Sequence, residues 1–221
     1  MRTPSLAAAM LIAGVVALGA QSAPAPPPPA ELARRLQAHY DTVRDFTADF
    51  THHYRGGMLR KTITERGRVR IKKPARMEWT YTAPEKKLFV SDGSKMYSHL
   101  VDDKVVYVSD LPEGGDASTA MLFLTGRGNL VRDFNASAPN RRLDGSFQGA
   151  WQLDLTPKSD QTDFTSLSLV IDPRTLALRA LSSVDAQGGV SSFVFTNLRE
   201  NVGLSDNQFA FKMPRDVDVV R

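Results

Sequence analysis

The stretch that decides the fold runs from Arg66 to Gly93, RGRVRIKKPARMEWTYTAPEKKLFVSDG. In its first part Gly67, Val69 and Ile71 alternate with Arg66, Arg68, Arg70 and Lys72. A period of two puts alternate side chains on opposite faces of a strand, here one apolar and one basic. Pro74 breaks the run. Met77, Trp79 and Tyr81 then alternate with Arg76, Glu78, Thr80 and Thr82 until Pro84. Lys87 to Ser91 is a further strand, and Asp92-Gly93 is a hairpin signal. Successive strands therefore share a wall of large, soft and aromatic groups with a charged back.

The same pattern extends in both directions. Phe46, Ala48 and Phe50 alternate from Asp45 through Tyr54, Arg55-Gly56-Gly57 turns the chain, and Met58 to Lys72 is a long second strand. Met96–Val101 and Lys104–Ser109 pair across Asp102-Asp103. An antiparallel meander of this length must curl. Leu111 to Leu130 interrupts it: Pro112, Gly114 and Gly115 break the sheet, and Ser118 to Leu124 is a short apolar, helical segment. Its composition suits a movable lid and a fixed packing helix equally. Strands resume at Ala150–Thr156, Leu167–Ile171, Leu176–Val184 and Val190–Leu198, and the end from Leu204 to Val219 is extended. Ahead of the sheet, Leu32, Leu36, Tyr40 and Val43 recur at helical spacing over Glu31–Val43, with Arg34, Arg35 and Gln37 on the other face. The fold class is mainly β within α+β.

Residues 1–22 read as a signal peptide. Arg2 supplies the charged start, Leu6 to Leu18 is an apolar run too short to span a bilayer, and Ala20-Gln21-Ser22 fits small-x-small cleavage. Residues 23–30, APAPPPPA, form a proline-rich tether. Residues 31–221 form one domain, long enough for a proper core. The chain of 221 residues has no cysteine, which excludes disulfides, thiolate metal sites and a lipid-modified N-terminal cysteine. The net charge is +4, or +3 once Arg2 leaves with the leader, too mild to argue for nucleic acid. The basic stripe on the strand ending at Lys72 suits either a solvated outer face or a meeting with anionic headgroups or an acidic partner.

Signatures of catalysis are absent. There is no G-x-S-x-G elbow, H-E-x-x-H pair, Walker loop or dinucleotide fingerprint. The histidines are His39, His52, His53 and His99, and adjacent His52 and His53 on one strand point to opposite faces. Neither a metal nor another cofactor is expected, and no catalytic residue is assigned.

The ordered set Gly67, Val69, Ile71, Lys72, Lys73, Pro74, then Met77, Trp79, Tyr81, Pro84, then Leu88, Val90, Ser91, Asp92, Gly93, Met96, Tyr97 resembles the periplasmic outer-membrane lipoprotein carrier family (LolA). Leu155-Thr156-Pro157-Lys158 and the F-x-F-x-x-P ending at Pro214 extend the likeness over most of the chain after the leader. The resemblance implies an unclosed antiparallel β-barrel of about 11 strands, covered by short helices acting as a lid. It implies a monomeric periplasmic carrier that takes acylated lipoproteins from an inner-membrane lipoprotein-releasing ABC transporter to an outer-membrane acceptor. The expected cavity residues are Leu36, Phe46, Phe50, Val69, Ile71, Met77, Trp79, Leu88, Val90, Met96, Met121 and Phe123. The family carries an arginine before the strand-breaking proline, thought to hold the lid closed. Here that residue is Lys73, which lacks the planar fork. A similar barrel binding another lipid or glycolipid, or acting as a lipid-sensing envelope regulator, is the alternative; an envelope hydrolase is a remote third reading.

The physical need for such a carrier is plain. An acyl chain of about 16 carbons gains on the order of 12 kcal/mol on leaving water, at roughly 0.8 kcal/mol per methylene. A soluble pocket must shield that chain and still yield it to a stronger sink. Weak, non-directional contacts under a hinged cover meet both demands.

Overall fold

The computed structural model describes residues 25–57, 61–111, 124–126, 128–140, 147–159 and 164–221. They contain twelve strands in one sheet: β1 (Asp45–Arg55), β2 (Thr62–Lys72), β3 (Arg76–Ala83), β4 (Lys87–Asp92), β5 (Lys95–Leu100), β6 (Val105–Asp110), β7 (Phe134–Ser137), β8 (Trp151–Pro157), β9 (Phe164–Ile171), β10 (Leu178–Asp185), β11 (Val190–Glu200) and β12 (Asp218–Val220). The order across the sheet is β12-β6-β5-β4-β3-β2-β1-β11-β10-β9-β8-β7, and the two end strands do not pair, so the barrel is unclosed. Two antiparallel meanders meet along β1 and β11, the first and last long strands. β12 alone runs parallel to its neighbour, β6. The expected count of about 11 strands thus becomes 12: β7 is new, and only three residues of the extended ending join the sheet.

Helix α1 (Pro29–Thr42) starts inside the stretch expected to be a tether. Proline is favoured at the first helical positions because its missing N–H has no intrahelical partner there anyway. Glu31 in the first turn faces the positive helix end and bonds Arg35 at 2.8 Å. Leu32, Ala33, Leu36 and Tyr40 form the buried stripe. The one-turn helix α2 (Leu130–Asp133) is capped by Asn129, whose Oδ1 accepts from the backbone N–H of Val131 and Arg132. Gln37 of α1 accepts from Leu130 N–H at 2.7 Å, joining the two helices.

Strand register fixes the two faces. Phe50, Gly67 and Tyr81 stand side by side across β1, β2 and β3, as do Ala48, Val69 and Trp79, and Phe46, Ile71 and Met77. These share one buried cluster with the α1 stripe and with Leu153, Leu155, Leu167, Leu169, Ile171 and Leu181 of the second meander. The concave face is therefore apolar and the helices lie over it.

The convex face carries the basic stripe, and most of its charges are answered. Arg68 bonds Asp49 at 3.1 Å, Arg70 bonds both Glu78 oxygens at 2.6 Å, and Lys72 pairs Asp206 at 2.6 Å. Asp206 belongs to a 3-10 turn (Asp206–Phe209) that lies against β3 and β4. Buried Asp45 holds the segment leading to this turn by accepting from Gly203 and Leu204 N–H at 3.1–3.2 Å. Beyond the turn, Phe211 stacks on Tyr97 at 4.6 Å.

Candidate functional site

The alternation of β2 and β3 places most of the expected cavity residues together. Leu36, Phe46, Phe50, Val69, Ile71, Met77 and Trp79 lie in the concave cluster, each at most 5% exposed. Met96 is half-buried against it. Met121 and Phe123 lie outside the described residues. Leu88 and Val90 do not join the set. Trp79 pairs with Phe89, so the concave residue of β4 is Phe89, while Leu88 and Val90 stand beside Thr80 and Glu78 on the convex face. Only Phe89 continues the row of Trp79 under antiparallel pairing, and alternation within β4 does not by itself give that register. Sequence reading also passed over Phe193 and Phe195 of β11. They pair with His52 and Phe50, but β1 and β11 are too distant in sequence for any local pattern to join them.

The aromatic groups form a connected patch. Phe50 meets Trp79 at 5.1 Å and Tyr81 at 4.8 Å between ring centroids, and Phe193 meets Trp79 at 5.1 Å. Offset and edge contacts of this kind add to the burial of ring area. At one end the patch turns polar. His52 lies flat on Phe193 at 4.2 Å, its Nδ1 is 3.0 Å from Glu65 Oε2, and its Nε2 is 2.8 Å from Ser191 Oγ. Lys87 donates to the other Glu65 oxygen at 2.8 Å. His53 points the other way, to Thr64.

Burial lowers the His52 pKa from its usual 6.5, and Glu65 only partly opposes the shift. The Glu65 carboxyl is raised by its own burial, but Lys87 and His52 together take it below the ordinary 4.5. A histidine depressed in the folded state contributes stability that is present above its unfolded pKa and lost as pH falls through the folded one. The protein should therefore lose stability on acidification from about pH 6.5 downward, before the Glu65 window near and beneath its ordinary value. His52→Gln should flatten that first segment of a denaturant-midpoint-against-pH curve; an unchanged slope would remove His52 as its source.

A second feature is the turn between β2 and β3. Lys73 Nζ donates to the Tyr40 carbonyl at the end of α1 and lies 5.6 Å from the Tyr40 ring centre. Burial lowers its pKa, opposed by Asp41 and Glu200. A cation at a helix C-terminus meets unpaired carbonyls and the negative end of the dipole. Ala75, at φ 62°, donates to Thr125 O at 3.2 Å, and Ser91 Oγ donates to Ala75 O at 2.6 Å. Gly126 sits against the Lys73 stem so closely that a Cβ there would lie 2.7 Å from Cδ. One turn thus grips α1 and the segment Leu124–Gly126, which ends the expected lid. The lid's own apolar residues, up to position 123, are not among those described.

Comparisons with known proteins agree with this geometry. The family model described as outer membrane lipoprotein carrier protein LolA matches residues 41–212. The outer-membrane lipoprotein carrier protein of Legionella pneumophila strain Corby is 30% identical, over 84% of this chain and 88% of its own. That of Chromohalobacter salexigens is 28% identical over 86% of both chains, and that of Cupriavidus pinatubonensis is 27% identical over 96% and 98%. Among solved structures, an uncharacterized conserved protein from Thermus thermophilus has a TM-score of 0.52 at 15% identity, covering 86% of this chain and 97% of its own; it supports the fold alone. With its unclosed sheet, its apolar concave wall and a family match across most of its length, the chain belongs to the outer membrane lipoprotein carrier protein LolA family.

Proposed function

We propose that the protein is a periplasmic carrier that holds the acyl chains of lipoproteins against its concave face and ferries them from an inner-membrane transporter to an outer-membrane acceptor. The observation that carries this reading is the concave wall: a continuous aromatic and aliphatic surface inside a sheet that does not close. Among the described residues, α1 is tied by Lys73 to Tyr40 O, by Tyr40 Oη accepting from Leu178 N–H at 3.3 Å and by His39 to Glu200 at 3.0 Å, and the segment Leu124–Gly126 by Ala75 donating to Thr125 O at 3.2 Å. Such a cover can be exchanged for cargo. When α1 moves aside, apolar contacts made by its side chains are replaced by contacts made by hydrocarbon, so the net cost is small. The gain comes from the chains leaving water. The sheet itself, tied by antiparallel ladders on both meanders, need not change.

No helix among the described residues is long and apolar enough to cross a membrane. The protein acts as a monomer without cofactor, and no bond is made or broken. The test is release of a triacylated lipoprotein from proteoliposomes or spheroplasts. With this protein added, the lipoprotein should appear in the soluble fraction in a one-to-one complex. Lipoprotein remaining in the membrane, while a known carrier releases it in parallel, rejects the role.

A further inference from the structure

Among the described residues, the concave wall holds one buried side-chain polar atom that the fold leaves unanswered. Trp79 is 5% exposed, and its Nε1–H has no hydrogen-bond partner. Buried donors are nearly always paired, and an orphan lowers stability relative to an apolar side chain of similar shape. A phenylalanine at this position would keep the ring contacts to Phe50 and Phe193 without that loss. The neighbours across the ladder, Val69 and Phe89, have no side-chain acceptor. The nearby polar set offers no relief either: Glu65 is engaged by His52 and Lys87, and His52 by Glu65 and Ser191. Phe193, stacked on His52 on one side and meeting Trp79 on the other, stands between the two.

We propose that Trp79 Nε1–H is the anchor of an acyl-linkage subsite, donating to the carbonyl oxygen of a fatty ester or fatty amide whose chain lies along the concave face. The inference rests on the carrier reading and adds to it where the chain's head sits. The chemistry selects a neutral carbonyl. A single uncharged donor ringed by Phe50, Phe193 and Phe195 satisfies one lone pair but does not compensate a buried carboxylate. Lys87, on the same row of β4 as Phe89, is already shared by Glu65 and Glu85 at 2.8 and 3.0 Å. An ether oxygen or a bare alkane offers a weak acceptor or none. The wall is thus graded, from aliphatic groups beneath α1, through the Trp79 indole donor, to the charged set of His52, Glu65 and Lys87, as the head of an acylated molecule is graded from hydrocarbon through carbonyl to peptide.

The test compares two soluble lipids of equal chain length, dioctanoylglycerol, which has ester carbonyls, and dioctylglycerol, its diether counterpart. The full chain has two tryptophans, so the indole proton of Trp79 is assigned as the resonance lost in Trp79→Phe. On titration with the diester that proton should move downfield, and with the diether it should not. Trp79→Phe should weaken diester binding about tenfold more than diether binding, the effect of one lost buried hydrogen bond, while a native far-UV spectrum and a melting temperature no lower than native report an intact fold. Equal behaviour of the two lipids toward both proteins overturns the subsite while leaving lipid carriage standing. Failure of the native chain to bind either lipid overturns the carrier reading itself.

Discussion

Replacing Lys73 with leucine should lower lipoprotein transfer about tenfold, the consequence of losing a charge-assisted hydrogen bond worth roughly 1.5 kcal/mol, while Lys73→Arg stays near the native level. The ammonium is the side-chain donor at the Tyr40 carbonyl, where α1 ends, and its stem packs on Gly126. It therefore touches α1 and the segment Leu124–Gly126 at once. Leucine keeps the stem contact and loses the donor, so the C-terminal end of α1 loses one of its ties, leaving Tyr40 Oη on Leu178 and His39 on Glu200, and the closed and open forms are rebalanced. Arginine restores a donor to the same carbonyl, with a fork in place of a point charge. The measurement is release and hand-over in the spheroplast assay, with thermal unfolding as control. Equal transfer by both variants would remove Lys73 from the mechanism.

A large effect on stability is expected at Gly67. Its Cβ would lie 2.1 Å from the Thr80 carbonyl oxygen and 2.6 Å from Phe50 Cζ. The first obstacle is backbone of the neighbouring strand and cannot give way; the second is the ring that occupies the space a side chain would take. Gly67→Ala should cost about 3 kcal/mol, at the upper end for overpacking, or about 10 °C in melting temperature for a chain of this size. Gly188 is the contrast. It has φ +77° but nothing within 4 Å of its Cβ position, so alanine there meets only the backbone penalty, about 1 kcal/mol. Melting curves that rank the two variants the other way would mean that the close packing of β1, β2 and β3 is misjudged.

The glycine also shows how far the sequence could be read. Gly67 falls on the apolar row with Val69 and Ile71, and its place was evident from period two. That Phe50 fills the gap was not, because the two residues meet only through pairing of β1 with β2. The same limit explains β4. Leu88 and Val90 are as apolar as Phe89, and alternation within Lys87–Ser91 does not say which row faces inward. Register against Trp79 decides it. On the convex side, Val90 stays buried all the same: the 3-10 turn lies against β3 and β4, and the chain segment that forms it is more than a hundred residues away. The polar set His52, Glu65, Lys87 and Ser191 is drawn from four strands, β1, β2, β4 and β11, and no spacing rule links them. By contrast the unclosed barrel, α1 and the Asp92-Gly93 hairpin were legible. There Asp92 accepts from Ser94 and Lys95 N–H at 2.8 Å and Gly93 takes φ 101°. Local chemistry specified the helix and the hairpin, whereas the unclosed barrel came from the resemblance to the carrier family.

If the proposed carrier role is right, acyl chains lie on the concave side of the sheet and not on the convex side. A photoreactive benzoylphenylalanine placed at Phe89 or Phe193 tests it against one placed at Tyr97 or His99. Those two pair with Val90 and Leu88, which puts them in the convex rows of Glu78 and Thr80. With a radiolabelled triacylated lipoprotein bound, illumination should attach acyl chains at Phe89 and Phe193 and leave Tyr97 and His99 unlabelled. Acyl adducts at the convex positions, with none on the concave wall, would contradict the account.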